Sequence, residues 1–138
     1  MKVAINRCFG GFGLSHEAVL RYCEIKGMTV YPDRKEYYWT YWVVPPEDRL
    51  EPKEGADFYK LPMEERREYN EAYSKQVFYD GEVARNDPAL IQAIEELGEA
   101  AAGRFAEIAI VEIPDDANWQ IEEYDGLEHV AEVHRTWS

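Results

Sequence analysis

The stretch that decides the fold is residues 3–17, which read VAINRCFGGFGLSHE. An apolar run leads into a glycine-dense turn, and Ser15 then caps an amphipathic segment. This pattern predicts a strand, a tight loop and a helix N-terminus in succession. Glycines let backbone N–H groups approach a ligand, and the first helical turn adds unpaired donors with a partial positive charge. The stretch therefore predicts an anion-binding loop.

The composition favours one intracellular domain. The chain has 138 residues, 46% of them hydrophobic, so it can bury a core without metal or disulfide support. It shows no membrane-length apolar run and no recognisable leader, and we expect a cytoplasmic protein that does not bind membranes. Cys8 and Cys23 are expected to be buried thiols that do not form a disulfide.

The formal net charge of −13 limits the class of partner. Such a surface repels the phosphates of nucleic acids and lipids at long range, and no basic cluster interrupts the sequence. Direct nucleic-acid binding is therefore not expected. Two interpretations of the acidic residues stay open: they solubilise the protein, or they imitate nucleic acid and occupy the basic groove of a host protein.

The pattern along the chain alternates between helices and strands. Helices are predicted from Ser15 to about Lys26, over residues 62–75, and from Asp87 to Gly103 with Gly98 permitting close packing inside the helix. Strands are predicted at residues 28–31, 37–44, 77–79 and 105–113, the last of them in the middle of the sheet because both of its faces are apolar. Residues 47–61, rich in Pro, Gly and charge, are predicted to form a mobile loop that could act as a lid.

These elements predict an α/β fold, with α+β as the alternative, in a single domain spanning residues 1–138. A mixed sheet would carry the helices, and the N-terminus would form a β-loop-α-β unit with a right-handed crossover. At the C-terminus, Asp125 and Gly126 predict a β-hairpin with a type I′ turn, against a competing helix over residues 127–135.

Known phosphate-binding motifs match the glycine loop only in part. His16 stands where a dinucleotide fingerprint has its third glycine, and the lysine of a Walker loop is missing. A cysteine phosphatase would have an arginine six residues after Cys8, where this chain has Leu14. Simple anion binding therefore remains as the prediction for the loop, with a purely structural tight turn as the alternative.

The candidate binding residues lie in the loop and on the aromatic strand. Arg7 could supply a planar fork for phosphate, and His16 could donate to an anion at the helix terminus; a surface ion pair and a solvated histidine are the alternatives. Tyr38 and Trp42 project from one strand face and could stack on a base, unless that face packs into the core. The predicted ligand-binding set is Asn6, Arg7, Gly10, Gly11, Phe12, Gly13, Ser15, His16, Tyr38 and Trp42.

The sequence predicts no catalytic residue, no cofactor and no metal site, and it favours a protein that is not an enzyme. His129 and His134 are five residues apart, which puts them on opposite faces of a strand and makes them a poor metal pair. The acids near the C-terminus lie where a solvated edge or turn would place them, so no catalytic pair can be chosen from them.

Two segments carry a family resemblance. INRCFGGFGLS (residues 5–15) and EIPDDANWQIEEYDGLE (residues 112–128) resemble a family of small uncharacterised proteins of tailed phages and prophages. The resemblance covers both ends of the chain and implies a phage origin and expression in the cytoplasm of a host bacterium. It implies no activity and assigns no functional residue.

Three functions follow as hypotheses. The preferred one is a non-catalytic protein that holds a small phosphorylated or nucleotide-like ligand, and so sequesters a host immune signal. The second is an acidic inhibitor of a host nuclease or other nucleic-acid-binding protein. The third is a small nucleotide-processing enzyme that uses His16 or an acid near the loop. The sequence leaves the ligand and the oligomeric state open, a homo-oligomer included.

Overall fold

The structure is a computed structural model that describes residues 1–51, 53 and 55–133. The chain divides into two compact units: a terminal unit, Met1–Gly27 with Asp80–Ser138, and a middle unit, Met28–Tyr79. Helices and antiparallel sheets are both present, which confirms the predicted class. No helix in the described ranges has the length and apolar character that a membrane crossing requires.

The core of the terminal unit is built around its first strand. β1 (Lys2–Asn6) pairs antiparallel with β5 (Ile108–Glu112), and four of the five β1 residues are buried. Helices α1 (His16–Ile25) and α4 (Pro88–Leu97) pack against each other, and α4 also contacts β1. The fully buried side chains of Val3 and Leu90 show that this apolar contact is the centre of the unit.

Both helices of the terminal unit begin as the sequence predicts. The Ser15 hydroxyl accepts from the Ala18 N–H at the start of α1, and the Asp87 carboxylate accepts from the Ala89 N–H at the start of α4. The predicted role of Gly98 is wrong. It adopts φ +59° and ends α4, and a 3₁₀ turn, Gly98–Ala101, continues the chain, because glycine reaches this conformation without steric cost.

The C-terminal hairpin is confirmed. β6 (Trp119–Tyr124) pairs antiparallel with β7 (Leu127–Glu132), so the competing helix is wrong over these residues. Asp125 and Gly126 have φ angles of +50° and +89°, the left-handed pair that a type I′ turn needs. Across the strands, His129 lies 3.0 Å from the Glu122 carboxylate. His134, which the sequence rejects as its metal-binding partner, lies outside the described residues.

The predicted sheet topology needs correction. Every pairing among the described strands is antiparallel, in three separate sheets with the orders β1-β5, β2-β3-β4 and β6-β7. The predicted order of strand, loop, helix and strand at the N-terminus is confirmed, but its right-handed crossover is wrong, since β1 and β2 belong to different sheets. β5 is also not a central strand: it pairs with β1, and its residues are half-buried or exposed. The apolar residues on both faces of this segment predicted a buried strand, but in the structure the side chains of β5 are only partly covered by other residues.

The middle unit is a three-stranded sheet with helices. β2 (Tyr31–Arg34), β3 (Trp39–Trp42) and β4 (Val77–Phe78) pair in that order, and the helix α3 (Met63–Gln76) leads directly into β4. The segment predicted as a mobile loop contains a 3₁₀ turn, Pro46–Asp48, and a short helix α2 (Gly55–Tyr59). The prediction that residues 47–61 move as a lid stays a prediction.

Candidate functional site

Three backbone N–H groups at the end of the predicted anion loop and the start of α1 are bound by the chain itself. The Leu14 N–H donates to the Asp80 carboxylate at 3.0 Å, and the Ser15 N–H donates to the Ala101 carbonyl at 2.9 Å. At the start of α1, the Ala18 N–H donates to the Ser15 hydroxyl at 3.1 Å. The Asp80 carboxylate is therefore an anion that the chain itself binds next to the N-terminus of α1, through the Leu14 N–H.

Asn6 is wholly buried and serves the backbone. Its amide donates to the carbonyls of Cys8 and Gly126, at 2.7 Å each, and its side-chain oxygen accepts from the Glu107 N–H at 2.9 Å. This uses both donors and an acceptor of the amide group. Its side chain joins the loop, the hairpin turn and the approach to β5, and the role of Asn6 as a ligand contact stays a prediction.

The glycines of the loop are explained by close packing. A Cβ on Gly10 would overlap the carbonyl oxygen of Phe105, and one on Gly126 would lie 2.6 Å from the Gly11 nitrogen. Gly11 itself has φ +87°, a conformation that glycine adopts without strain. Gly13 has open space around it, and its carbonyl accepts from the Gly103 N–H at 2.8 Å. The absence of a side chain at Gly10 lets its backbone approach that of Phe105, and its absence at Gly11 lets the chain adopt a positive φ angle.

A charged pair beneath the loop was not predicted. The Arg85 guanidinium donates twice to the Glu128 carboxylate, at 2.6 and 3.0 Å, and lies 3.6 Å from the centre of the Phe12 ring. Glu128 is 7% exposed and also accepts from the Asn6 N–H at 2.8 Å. Phe12 is thus covered by the protein's own cation, which fills the place a ligand cation or base would take.

The other predicted loop residues do not form a pocket with Ser15. The Ser15 hydroxyl is already used, since it accepts from Ala18 and donates to the Ala100 carbonyl at 2.6 Å. Its role as a ligand contact stays a prediction. Arg7 is exposed, with its backbone N–H bound to the Glu107 carbonyl, and His16 is half-buried as the first residue of α1. The loop is accounted for as a structural turn.

A different cavity, in the middle unit, contains the two predicted aromatic residues. It has a volume of about 570 Å³ and is bounded by the β2–β3 hairpin, the segment after β3, and helices α2 and α3. We call it the aromatic–basic cleft. Its aromatic lining consists of Tyr38, Trp42, Phe58, Tyr69 and Tyr73, and its cationic lining consists of Lys35, Arg49 and Lys53.

The aromatic rings of the cleft contact one another. Tyr73 meets the ring of Trp42 edge to face at 5.5 Å, and Tyr69 lies nearly parallel to Tyr73 with centroids 6.4 Å apart. Trp42 is buried, as the core-packing alternative for this strand face expects, whereas Tyr38 is 59% exposed. Burial, followed by the nearby Tyr38 and Tyr69, raises the pKa of the Tyr73 hydroxyl, so it remains protonated at neutral pH.

The cations of the cleft lie against these rings. The Arg49 guanidinium is 4.9 Å from the centre of the Trp42 ring, and the Lys53 ammonium is 5.9 Å from that of Tyr69. Lys35 is 3.0 Å from the Asp33 carboxylate. Two acids, Asp33 and Glu51, also line the cleft, so its formal charge is close to neutral in a protein whose net charge is −13.

Two N–H groups in the cleft walls have spare hydrogen-bonding capacity. Within the described part of the chain, the Nε of Arg49 and the Nε1 of Trp42 are buried and have no acceptor at hydrogen-bond geometry. The indole N–H still contributes to lowering the pKa of Asp33, though less than Lys35 does. A buried donor without an acceptor costs about 1–3 kcal/mol. An acceptor brought into the cleft would recover part of that cost.

The charge is distributed unevenly along the sequence. Residues 28–79 contain 8 Lys or Arg and 11 Asp or Glu, for a net charge of −3, and 12 of the 19 aromatic residues. The remaining residues contain 7 Lys or Arg and 17 Asp or Glu, for a net charge of −10. The middle segment is therefore the part of the chain whose composition best tolerates an anionic aromatic ligand.

Part of this cleft was predictable from the sequence. Tyr38 and Trp42 were predicted from strand periodicity, whereas Arg49 and Lys53 were missed because they lie in residues 47–61, which were predicted to form a mobile loop. Tyr69 and Tyr73 are four residues apart on α3, and that spacing on a helix beside a Lys- and Arg-containing loop was the available signal.

Family models, curated proteins and solved structures were each compared with the chain, and none matches it. The resemblance to phage proteins stays a prediction, and any assignment of function depends on the geometry above.

Proposed function

We propose that the protein is a non-catalytic binding protein that holds a small phosphorylated or nucleotide-like ligand in the aromatic–basic cleft. The observation that carries the proposal is the placement of Lys35, Arg49 and Lys53 around an aromatic cavity of about 570 Å³. That volume is in the range of small-molecule sites, which are largely apolar with a few polar groups.

Each part of the cleft suits one part of a nucleotide. Guanidinium and ammonium groups attract phosphate, and Arg49 has an Nε–H that lacks an acceptor. Aromatic side chains stack on bases with about 1–3 kcal/mol per base, whatever the base. The exposed ring of Tyr38 and the stacked pair of Tyr69 and Tyr73 supply such surfaces.

The biological setting is also a proposal. A phage protein of this kind, made in the bacterial cytoplasm, would act by binding a nucleotide signal of a host defence system and lowering its free concentration. Sequestration needs affinity and abundance but no turnover.

The experiment is calorimetric titration of the purified protein with cyclic dinucleotides, ADP-ribose and nucleoside monophosphates. We expect at least one of these ligands to bind and to raise the melting temperature. The variants Arg49→Gln and Lys53→Gln should each weaken that binding roughly tenfold, because each removes a charge-assisted contact to phosphate. Recovery of the ligand unchanged after incubation would separate a binding protein from a nucleotide-processing enzyme.

Matched controls discriminate between the cleft and the glycine loop. Arg7→Gln removes a positive charge beside the loop, and Lys75→Gln removes one from α3 outside the cleft lining. Both should leave affinity unchanged. If binding were lost in Arg7→Gln and kept in Arg49→Gln, the ligand would bind at the glycine loop and not in the cleft. If no ligand in the panel bound the protein, the proposal would be contradicted.

A second candidate function is favoured by the charge distribution. The net charge of −10 outside residues 28–79 suits a surface that occupies the basic groove of a host nucleic-acid-binding protein. Such a complex should weaken as salt is raised. A pull-down from host lysate at low and high salt tests it, and recovery of no basic protein at low salt would count against this candidate.

A further inference from the structure

An acid stands inside the cleft that we propose to bind an anion. Asp33 lies in β2 directly opposite Thr40 of β3, and its side chain is 35% exposed. It lines the cleft together with Thr40 and Trp42, which share its face of the hairpin because side chains alternate along a strand. A carboxylate there repels phosphate, so phosphate binding alone does not explain it.

Asp33 is held in its ionised form. The hydrogen bond from Lys35 is the largest contribution that lowers its pKa, followed by the charges of Lys35 and Arg49. An ionised carboxylate only accepts hydrogen bonds, and each of its oxygens can accept two. Lys35 and the Trp42 indole, the second hydrogen-bonding group that lowers this pKa, take at most two of these acceptor positions, and the ligand group that fits the remaining ones must be a donor.

The bases differ in what they can donate to one carboxylate. Guanine presents two adjacent donors, N1–H and the N2 amino group, which match the two oxygens of a carboxylate. Hypoxanthine keeps N1–H but lacks the amino group. Adenine presents its amino group beside an acceptor nitrogen, so it makes one hydrogen bond and sets a lone pair against the other oxygen.

A stacking surface lies next to this acceptor. The Lys35 N–H donates to the Tyr38 carbonyl at 2.8 Å, which places Tyr38 opposite Lys35. Tyr38 comes two residues before Thr40, on the same face, and is the diagonal neighbour of Asp33. Diagonal pairs in an antiparallel ladder are about 7–8 Å apart, which is within reach of an aromatic ring and its stacked base. The Tyr38 ring is 59% exposed and can take a base on its face.

We infer that the ligand of the cleft is a guanine nucleotide, with its N1–H and N2 amino group bound to Asp33, its base stacked on Tyr38 and its phosphate held by Arg49 and Lys53. This inference rests on the proposed function and specifies its ligand class. The acid and the cations then have separate tasks, since one selects the base and the others bind the phosphate.

The test is calorimetric titration with GMP, IMP and AMP, which share one phosphate and differ in the base edge. We expect GMP to bind roughly tenfold more tightly than IMP and IMP more tightly than AMP, since a bidentate contact discriminates by about 1–3 kcal/mol. In Asp33→Asn and Asp33→Ala, the GMP-to-AMP ratio should fall to about one. Glu36→Gln removes an exposed acid of the same hairpin outside the cleft lining and should keep the ratio.

The outcomes separate this inference from the proposed function. Equal binding of GMP and AMP, or a preference that survives in Asp33→Ala, overturns the guanine assignment while the proposed function stands. Failure of all three nucleotides, together with the failure of the wider panel, overturns both. Circular dichroism of each variant checks that a lost preference does not come from unfolding.

Discussion

The glycine loop of the terminal unit and the aromatic–basic cleft of the middle unit each combine features of an anion site, but they differ in what their polar groups already bind. In the loop, the Leu14 N–H is bound to Asp80 and the Ser15 hydroxyl to Ala18 and Ala100. In the cleft, the buried Nε–H of Arg49 has no acceptor among the described residues. A motif indicates which groups exist, and the rest of the chain decides which of them remain available.

Glu128→Gln should have the largest effect on the free energy of unfolding, because the Glu128 carboxylate binds both the Arg85 guanidinium and the Asn6 N–H next to the glycine loop. Losing one partner of a buried ion pair leaves Arg85 uncompensated, at a cost of about 3–5 kcal/mol in the free energy of unfolding. Urea denaturation measures this. If the loop were a ligand site and not a structural turn, the loss would be small in the free protein, and a cost below about 1 kcal/mol would contradict our account.

The second test compares the stabilities of the variants Gly10→Ala and Gly13→Ala, because only Gly10 is closely packed. A methyl group at Gly10 overlaps the Phe105 carbonyl, which should cost about 2–3 kcal/mol, whereas Gly13 has open space. The Gly13 variant should change stability by about 0.5 kcal/mol or less. Thermal unfolding of both proteins gives the comparison, and equal melting temperatures would show that the loop is not closely packed against Phe105.

Asp87 in the terminal unit and Asp33 in the middle unit both have lowered pKa values, but we expect them to differ in how much they contribute to stability as the pH changes. Burial alone would raise the pKa of Asp87, but the hydrogen bonds from the Tyr22 hydroxyl and the Ala89 N–H, with the Lys26 charge, outweigh it and lower the pKa. A depressed pKa means that Asp87 stabilises the fold above its unfolded pKa of about 3.9, and that this contribution disappears as the pH falls through the folded value.

Asn also caps helices, so Asp87→Asn should lose only the advantage of charge-assisted hydrogen bonds over neutral ones, about 1 kcal/mol at pH 7, and the difference from the wild type should shrink below about pH 4. Asp33→Asn should barely change stability at pH 7, because Asp33 and Lys35 form a partly exposed pair. Urea denaturation at several pH values compares them. A pH-independent Asp87→Asn difference would show that its carboxylate charge makes no contribution.

Local patterns predicted the elements well. Ser15 and Asp87 cap their helices as expected, and the left-handed Asp125 and Gly126 form the predicted hairpin turn. These features depend on a few neighbouring residues, so periodicity and capping chemistry are sufficient. Sheet topology was predicted less well, because the partner of β1 is β5, more than a hundred residues along the chain. Nothing local to either strand specifies that pairing.

The candidate sites follow the same division. Glycine spacing predicted a tight turn at residues 10–13 and strand alternation placed Tyr38 and Trp42 on one face, since backbone geometry imposes both. The sequence could not show that Asp80 occupies the loop or that Arg49 and Lys53 line the cleft.

The sequence by itself determined the helix caps, the hairpin turn and an unusually aromatic middle segment. Only the tertiary structure decided that the N–H groups of Leu14 and Ser15 already have acceptors within the chain and that the aromatic segment forms a cavity. The physical reason is that a hydrogen-bond donor has a limited capacity, and whether a distant carboxylate has already filled it depends on how the whole chain folds.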